Sequence, residues 1–139
     1  MRQRVETEKN RELVLKKLKQ MFKFEKLKVW EKSIELVDLI NDLIDARLPK
    51  KHQFSLGEQL RRAVLSISAN IAEGSGRLSI KEANHFYNIA KASTYEVISL
   101  TVVFKNRKCI NLKEYQLIYT KTEEIAKMLS GLMKKKNWN

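Results

Sequence analysis

Glu82 and His85, in "EANH", stand three residues apart, the spacing with which one turn of a helix offers two ligands to a carboxylate-bridged di-iron centre. Such a centre needs a second Glu-x-x-His and two further inward glutamates. The only other histidine, His52, sits in a turn three residues after Pro49, and Glu82 has a different use as the answering acid of a helix start at Ser79. No metal is therefore expected. Cys109 lies in the basic turn "NRKCIN", whose charges favour a thiolate, but no histidine is near it in sequence to complete a nucleophilic pair. Gly74 and Gly76 are too few for a phosphate-cradling loop. The expectation is a protein that is not an enzyme and has no cofactor.

The charges point instead to binding. Lys and Arg total 28 against 16 Asp and Glu, a formal charge of +12, which draws a protein to polyanions through long-range attraction and counterion release. Nucleic acid, RNA before DNA, is the expected partner; excess lysine that merely maintains solubility is the bland alternative. No apolar run reaches the roughly 18 to 20 residues of a membrane span, and "MRQRVETEKNRELVLKK" lacks the apolar stretch of a signal peptide. No membrane is expected. A single cysteine rules out an internal disulfide and suits a reducing compartment, so the expected location is cytoplasmic.

These side chains must be positioned by helices. One proline and four glycines concentrate the breaks at "RLPKKHQFS", "GSGRLS" and "RKCIN", and each break ends in a capping-box pattern: Ser55 with Glu58, Ser79 with Glu82, Asn111 with Glu114. Between breaks, apolar residues recur three and four apart. Core stripes are expected at Trp30, Ile34, Val37, Ile44 and Leu48; at Leu56, Leu60, Val64, Ile67 and Ile71; at Phe86, Ile89, Ser93, Val97, Leu100 and Phe104; and at Leu112, Tyr115, Ile118, Ile125, Met128 or Leu129, and Leu132. No segment sustains the two-residue alternation of a strand. Short turns between four such helices predict an all-α, antiparallel up-and-down four-helix bundle over 24–133. A basic N-terminal arm, 1–23, with a weaker stripe of Val14, Leu18, Met21 and Phe22, precedes it, and a basic tail, 134–139, follows.

In that topology the cations gather at the bundle ends. One end is expected to collect Arg47, Lys50, Lys51, Lys105, Arg107, Lys108 and Lys113, with Arg61 and Arg62 nearby; the other collects Lys26, Lys28, Arg77, Lys81, Lys134, Lys135 and Lys136. Trp138 beside the last lysines either stacks on a base or packs on the bundle. Glu31, Glu35, Asp38, Asp42 and Asp45 form an acidic stripe along the first bundle helix, either a solvated face or a docking surface for a basic partner. Val29, Leu36 and Leu39 beside Trp30 and Val37 suggest apolar surface left over for a closed homo-oligomer.

The segment "SANIAEGSGR" has the composition of a loop but continues the helical spacing of "EQLRRAVLSI". Ala69 and Ala72 permit close helix approach, Gly74 stands where a left-handed cap belongs, and Asn70 and Glu73 are expected to hold the turn or a neighbour by hydrogen bonds. Here "QLRRA", "NIAEG" and the following "S-x-x-E", together with "FEKLKVWEKSIELVDLI" and "SIKEANHFYNIAKASTYEVISL", resemble bacterial four-helix-bundle proteins encoded by intervening sequences in large-subunit ribosomal RNA genes. The resemblance spans about residues 24 to 133. It implies a compact bundle that assembles as a ring, often a pentamer, with no established catalytic residues. A related branch, the accessory proteins of diversity-generating retroelements, binds nucleic acid and a reverse transcriptase, which makes that enzyme an implied partner. Two functions follow: a non-catalytic oligomeric nucleic-acid-binding protein, or a protein-interaction scaffold with incidental positive charge.

Overall fold

Helix-forming residues fill the stretches between the breaks, and the caps decide where each helix begins. The computed structural model describes residues 2–18 and 22–137, with side chains described for 7–17 and 22–133. Five helices stand out among them: α1 (Arg2–Leu18), α2 (Lys28–Arg47), α3 (Glu58–Ser75), α4 (Ile80–Asn106) and α5 (Leu112–Asn137). The Ser79 hydroxyl accepts from the Glu82 N–H (3.1 Å), starting α4. Asn111 and Glu114 close a reciprocal box at α5: the Glu114 N–H donates to Asn111 Oδ1 (2.7 Å) and the Asn111 N–H to Glu114 Oε1 (3.0 Å). The box expected from Ser55 and Glu58 does not form. A helical turn at Lys50–His52 and a wide turn at Gln53–Gly57 run straight into α3, and Gly57 is itself helical, so the first amides of α3 meet preceding carbonyls and need no side-chain cap. Ser55 Oγ donates to the His52 carbonyl instead (3.4 Å).

Helices α2 to α5 form a closed bundle: each packs on the next in sequence, and α5 returns beside α2. No helix among the described residues is long and apolar enough to cross a membrane. In α1 every described side chain is exposed, including Leu13, Val14 and Leu15; of the stripe expected there, Leu18 and Met21 lie outside the described side chains, and Val14 and Phe22 are exposed.

The α3 stripe is buried as expected at Leu60, Val64, Ile67 and Ile71. The α2 stripe is shifted by one position. Val29, Ser33, Leu36, Ile40, Ile44 and Leu48 are buried, whereas Trp30, Ile34 and Val37 are only partly covered. α2 is apolar over a wide arc, so two overlapping stripes satisfy the helical period, and its packing on α3 and α5 selects between them. Val29 and Leu36 are thus core residues, not leftover surface. The same selection on α4 buries Ala83, Tyr87, Ala90, Thr94, Val97, Thr101 and Phe104, leaving Ile89 exposed and Phe86 half-buried. On α5, Ile118, Thr122, Ile125 and Leu129 are buried and Leu112 is exposed. Thr101 and Thr122 satisfy their hydroxyls on the carbonyls four residues back, Val97 and Ile118.

The role of "SANIAEGSGR" is set by the contact of α3 with α4. Gly74 is not a left-handed cap: it is buried inside α3, and no glycine in the described residues has positive φ. Its missing side chain makes room for Tyr87, since a Cβ there would lie 2.6 Å from Tyr87 Cε1 and 3.0 Å from the Ala83 carbonyl. Asn70 serves the neighbouring helix, one of its two expected uses, and not the turn. Its Nδ2 donates to the Ser66 carbonyl (2.8 Å) and Ser66 Oγ (3.1 Å); Ser66 Oγ meets Ser93 Oγ at 2.8 Å, and Ser93 donates to the Ile89 carbonyl. This chain of hydrogen bonds joins α3 to α4. Glu73 is exposed and accepts from Arg77 Nη2 (2.8 Å), four residues on at the helix end.

Four stability measurements follow. Gly74→Ala should destabilise by about 1–3 kcal/mol through overpacking. Gly131→Ala, with nothing within 4 Å of the added carbon in α5, should stabilise by about 0.5–1 kcal/mol through helix propensity. Both are read by urea denaturation, and equal effects would refute the packing role of Gly74. Asn70→Ala should cost about 1–2 kcal/mol because a half-buried interhelical network loses its donor, and Glu73→Ala less than about 0.5 kcal/mol because an exposed pair of this kind is worth little.

Burial pushes the Tyr87 phenol above its ordinary 10.0. The unfolded chain therefore loses this proton first: the contribution to stability is full below pH 10 and is lost as pH rises toward and through the folded value. Denaturation midpoints should fall above pH 10 in the parent and fall less steeply in Tyr87→Phe.

Candidate nucleic-acid interface

The up-and-down course places the end of α2, the turns at 50–57, the end of α4 and the start of α5 at one pole of the bundle. Cross-helix contacts tie that pole together. Arg47 Nε, at the end of α2, donates to Glu114 Oε2 of α5 (3.1 Å), so Glu114 both caps α5 and fastens it to α2. Arg61 of α3 pairs with Asp45 of α2, and Lys105 Nζ of α4 lies 4.3 Å from the Tyr115 ring centre on α5.

These contacts sort the cations expected from the sequence. Arg47, Arg61 and Arg62 each have an acid beside them, Glu114, Asp45 and Glu58, while the Arg47 and Arg62 side chains stay exposed. Only the Glu58–Arg62 pair, four apart on one helix, was visible as sequence spacing; the other two needed the helices to meet. Lys50, Lys51, Arg107, Lys108 and Lys113 are exposed and pair with no carboxylate among the described residues, and Lys105 is half-buried over its tyrosine.

Lys108 is the residue sequence reasoning underrated. It alone among the described non-glycine residues has positive φ, 61°. The Cys109 N–H donates to the Phe104 carbonyl (2.9 Å) and the Lys108 N–H to the Lys105 carbonyl (3.0 Å), the two bonds of a Schellman ending in which glycine ordinarily occupies the left-handed position. A lysine there costs backbone strain of about 1–2 kcal/mol relative to right-handed geometry. The spacing of "KNRKC" gives no sign of it, because the usual signal is a glycine.

The opposite pole holds the 3₁₀ turn Lys23–Lys26, the start of α2, the α3–α4 turn and the end of α5. Lys26, Lys28 and Lys81 are exposed and unpaired with acids among the described residues. Arg77 is held by Glu73 and lies 4.4 Å over the Phe86 ring. Lys134, Lys135 and Lys136 fall in the last turns of α5, their side chains outside the described ones, and Trp138 and Asn139 lie outside the described residues. Along the flank, Glu31, Glu35, Asp38 and Asp42 of α2 are exposed and unpaired among the described residues, while Asp45 is taken by Arg61.

Other chemistry finds little support in the geometry. Glu82 and His85 both point outward from α4, away from the core where a di-iron centre would sit, and His85 packs its ring edge on Phe86. Among the described residues no group of three or more His, Cys, Asp or Glu could hold a metal ion. A groove of about 330 Å³ between α4 and α5 is lined by Tyr95, Ile98, Tyr119 and Ala126, with Glu123 the one charged group in it.

The geometry has counterparts. The fold matches the 1.70 Å crystal structure of a protein of unknown function from the S23 ribosomal protein family of Bacteroides thetaiotaomicron, with a TM-score of 0.71 and 26% identity over 76% of this chain and 98% of that one. No curated protein sequence matches the chain. The family model described as 23S rRNA-intervening sequence protein matches residues 25–131, which take in all of α2, α3 and α4 and most of α5 and leave α1 outside. The chain belongs to the 23S rRNA-intervening sequence protein family.

Proposed function

We propose that this chain is a non-catalytic nucleic-acid-binding protein that meets phosphates with the ends of its bundle and takes RNA in preference to DNA. Lys108 is the observation that carries the reading: a strained, exposed lysine stands where glycine would fold more easily, and no acid neutralises it. Lys50, Lys51, Lys105, Arg107 and Lys113 lie at the same pole, four lysine point charges and one guanidinium, a set suited to a phosphate backbone. The family's name, drawn from intervening sequences of 23S rRNA, supports RNA as the ligand.

The reading includes self-assembly as a ring, a pentamer by the family resemblance, which would multiply each pole and raise affinity through avidity. With Val29 and Leu36 used by the core, the apolar surface supporting assembly is Leu65, Ile89, Tyr95, Leu117 and Tyr119, all exposed on the outer faces of α3, α4 and α5. A reverse transcriptase is the protein partner, and the cytoplasm the compartment, that accompany this function. The scaffold reading rests on the exposed acidic stripe of α2 and is the outcome if nucleic acid fails to bind.

Lys108→Gly separates binding from folding. It should stabilise the protein by about 1 kcal/mol by relieving the left-handed strain. It should also flatten log affinity against log salt by about 0.7 units for single strands or 0.9 for duplex, one phosphate contact. Labelled RNA and duplex DNA titrated over a salt series give the slopes, with native mass recorded for each variant. A gain in stability with an unchanged slope would place Lys108 outside the interface. A parent without salt-dependent binding would leave the scaffold reading.

A further inference from the structure

We propose that the two poles bind two separate segments of nucleic acid, so that the protein bridges them; this rests on the nucleic-acid reading above. The upper pole, where α2 and α4 end, presents Lys50, Lys51, Arg107, Lys108 and Lys113 without acidic partners among the described residues. The lower pole, where α2 and α4 start, presents Lys23, Lys26, Lys28 and Lys81, also outside any ion pair among the described residues, with Glu25, Glu31 and Glu82 standing among them. The bundle begins at this pole with α2 and ends there with α5. In the sequence, residues 1–23 hold eight Lys and Arg against three Glu, and 134–139 add three Lys and no acid.

Between the poles the sign changes. Glu35, Asp38 and Asp42 on α2 and Glu96 on α4 are exposed and unpaired among the described residues, whereas the unpaired flank cations there, Lys91 and Lys121, are half-buried. A strand lying along the α2 flank would meet carboxylates; a strand crossing either end meets lysines. A 20-residue helix such as α2 is about 30 Å long, against a screening length of about 8 Å at physiological salt. The poles are therefore electrostatically independent, and a segment held at one does not repel a second segment at the other.

The test immobilises one RNA and asks whether the protein recruits a second, fluorescent RNA to it. The upper variant changes Lys50, Lys51, Arg107, Lys108 and Lys113 to glutamine; the lower variant changes Lys23, Lys26, Lys28, Lys81 and Lys134 to Lys136. Thermal melts confirm that each folds. The parent should recruit the second RNA, and each variant should still bind one RNA while recruiting at least about tenfold less of the second. A parent that binds RNA without recruiting overturns the proposal. So does a variant that recruits as well as the parent, which would assign bridging to several copies of one pole in an assembly. Native mass with a short RNA hairpin gives a second reading: the parent should take about twice as many hairpins per assembly as either variant, and equal saturation overturns the proposal. A parent that binds no RNA refutes the function reading itself, a result distinct from all of these.

Discussion

The close approach of α3 and α4 at Gly74 governs much of what surrounds it. Tyr87 is large, buried and placed where any side chain on residue 74 would collide with its ring. The Ser66, Asn70 and Ser93 hydrogen bonds run along the same interface and demand a fixed register, since hydroxyl to hydroxyl contact at 2.8 Å tolerates little sliding. With that register fixed, Ala83, Ala90 and Val97 of α4 turn toward α3 and the core, and Phe86 and Ile89 are rotated outward. The exposed apolar positions of α4 are thus a consequence of a glycine on its neighbour.

The upper pole shows the same economy at a helix junction. Glu114 uses one carboxylate oxygen to cap α5 and the other to hold Arg47 of α2, which fixes the spacing between the end of one helix and the start of another. The chain leaves α4 through a left-handed lysine and enters α5 four residues later. Cations that lie near acids in this frame are paired with them. Those on the turns, where no acid stands within reach, keep their charge facing solvent. What distinguishes the candidate interface is this subtraction, since the total charge of +12 counts paired and unpaired side chains alike.

Different parts of the protein were legible to different degrees. The helices, the turns, the Ser79 cap and the box at Asn111 follow from contacts within four residues, which sequence spacing records directly. Ser55 with Glu58 had the same spacing but formed no box, because the chain before it was already helical and its amides were satisfied. The poles were also legible, since up-and-down topology alone assigns each turn to an end. Which cations remain free was not, because Arg47 meets Glu114 and Arg61 meets Asp45 only across helices 67 and 16 residues apart in sequence.

The sequence by itself determined an all-α chain, the positions of its turns and the excess of positive charge, all properties of composition or of interactions along a single helix. Tertiary structure alone decided the facing of α2 and the use of Gly74. A helix with apolar residues over a broad arc has several nearly equivalent rotations, and a glycine near a helix end suits more than one local geometry. Only the neighbouring helix, through the volume of Tyr87 and the packing of the core, makes one of those choices lower in free energy than the rest. The left-handed backbone at Lys108 is local, closed by the Phe104 and Lys105 carbonyls of its own helix, and was hidden from the sequence because its usual sign is a glycine.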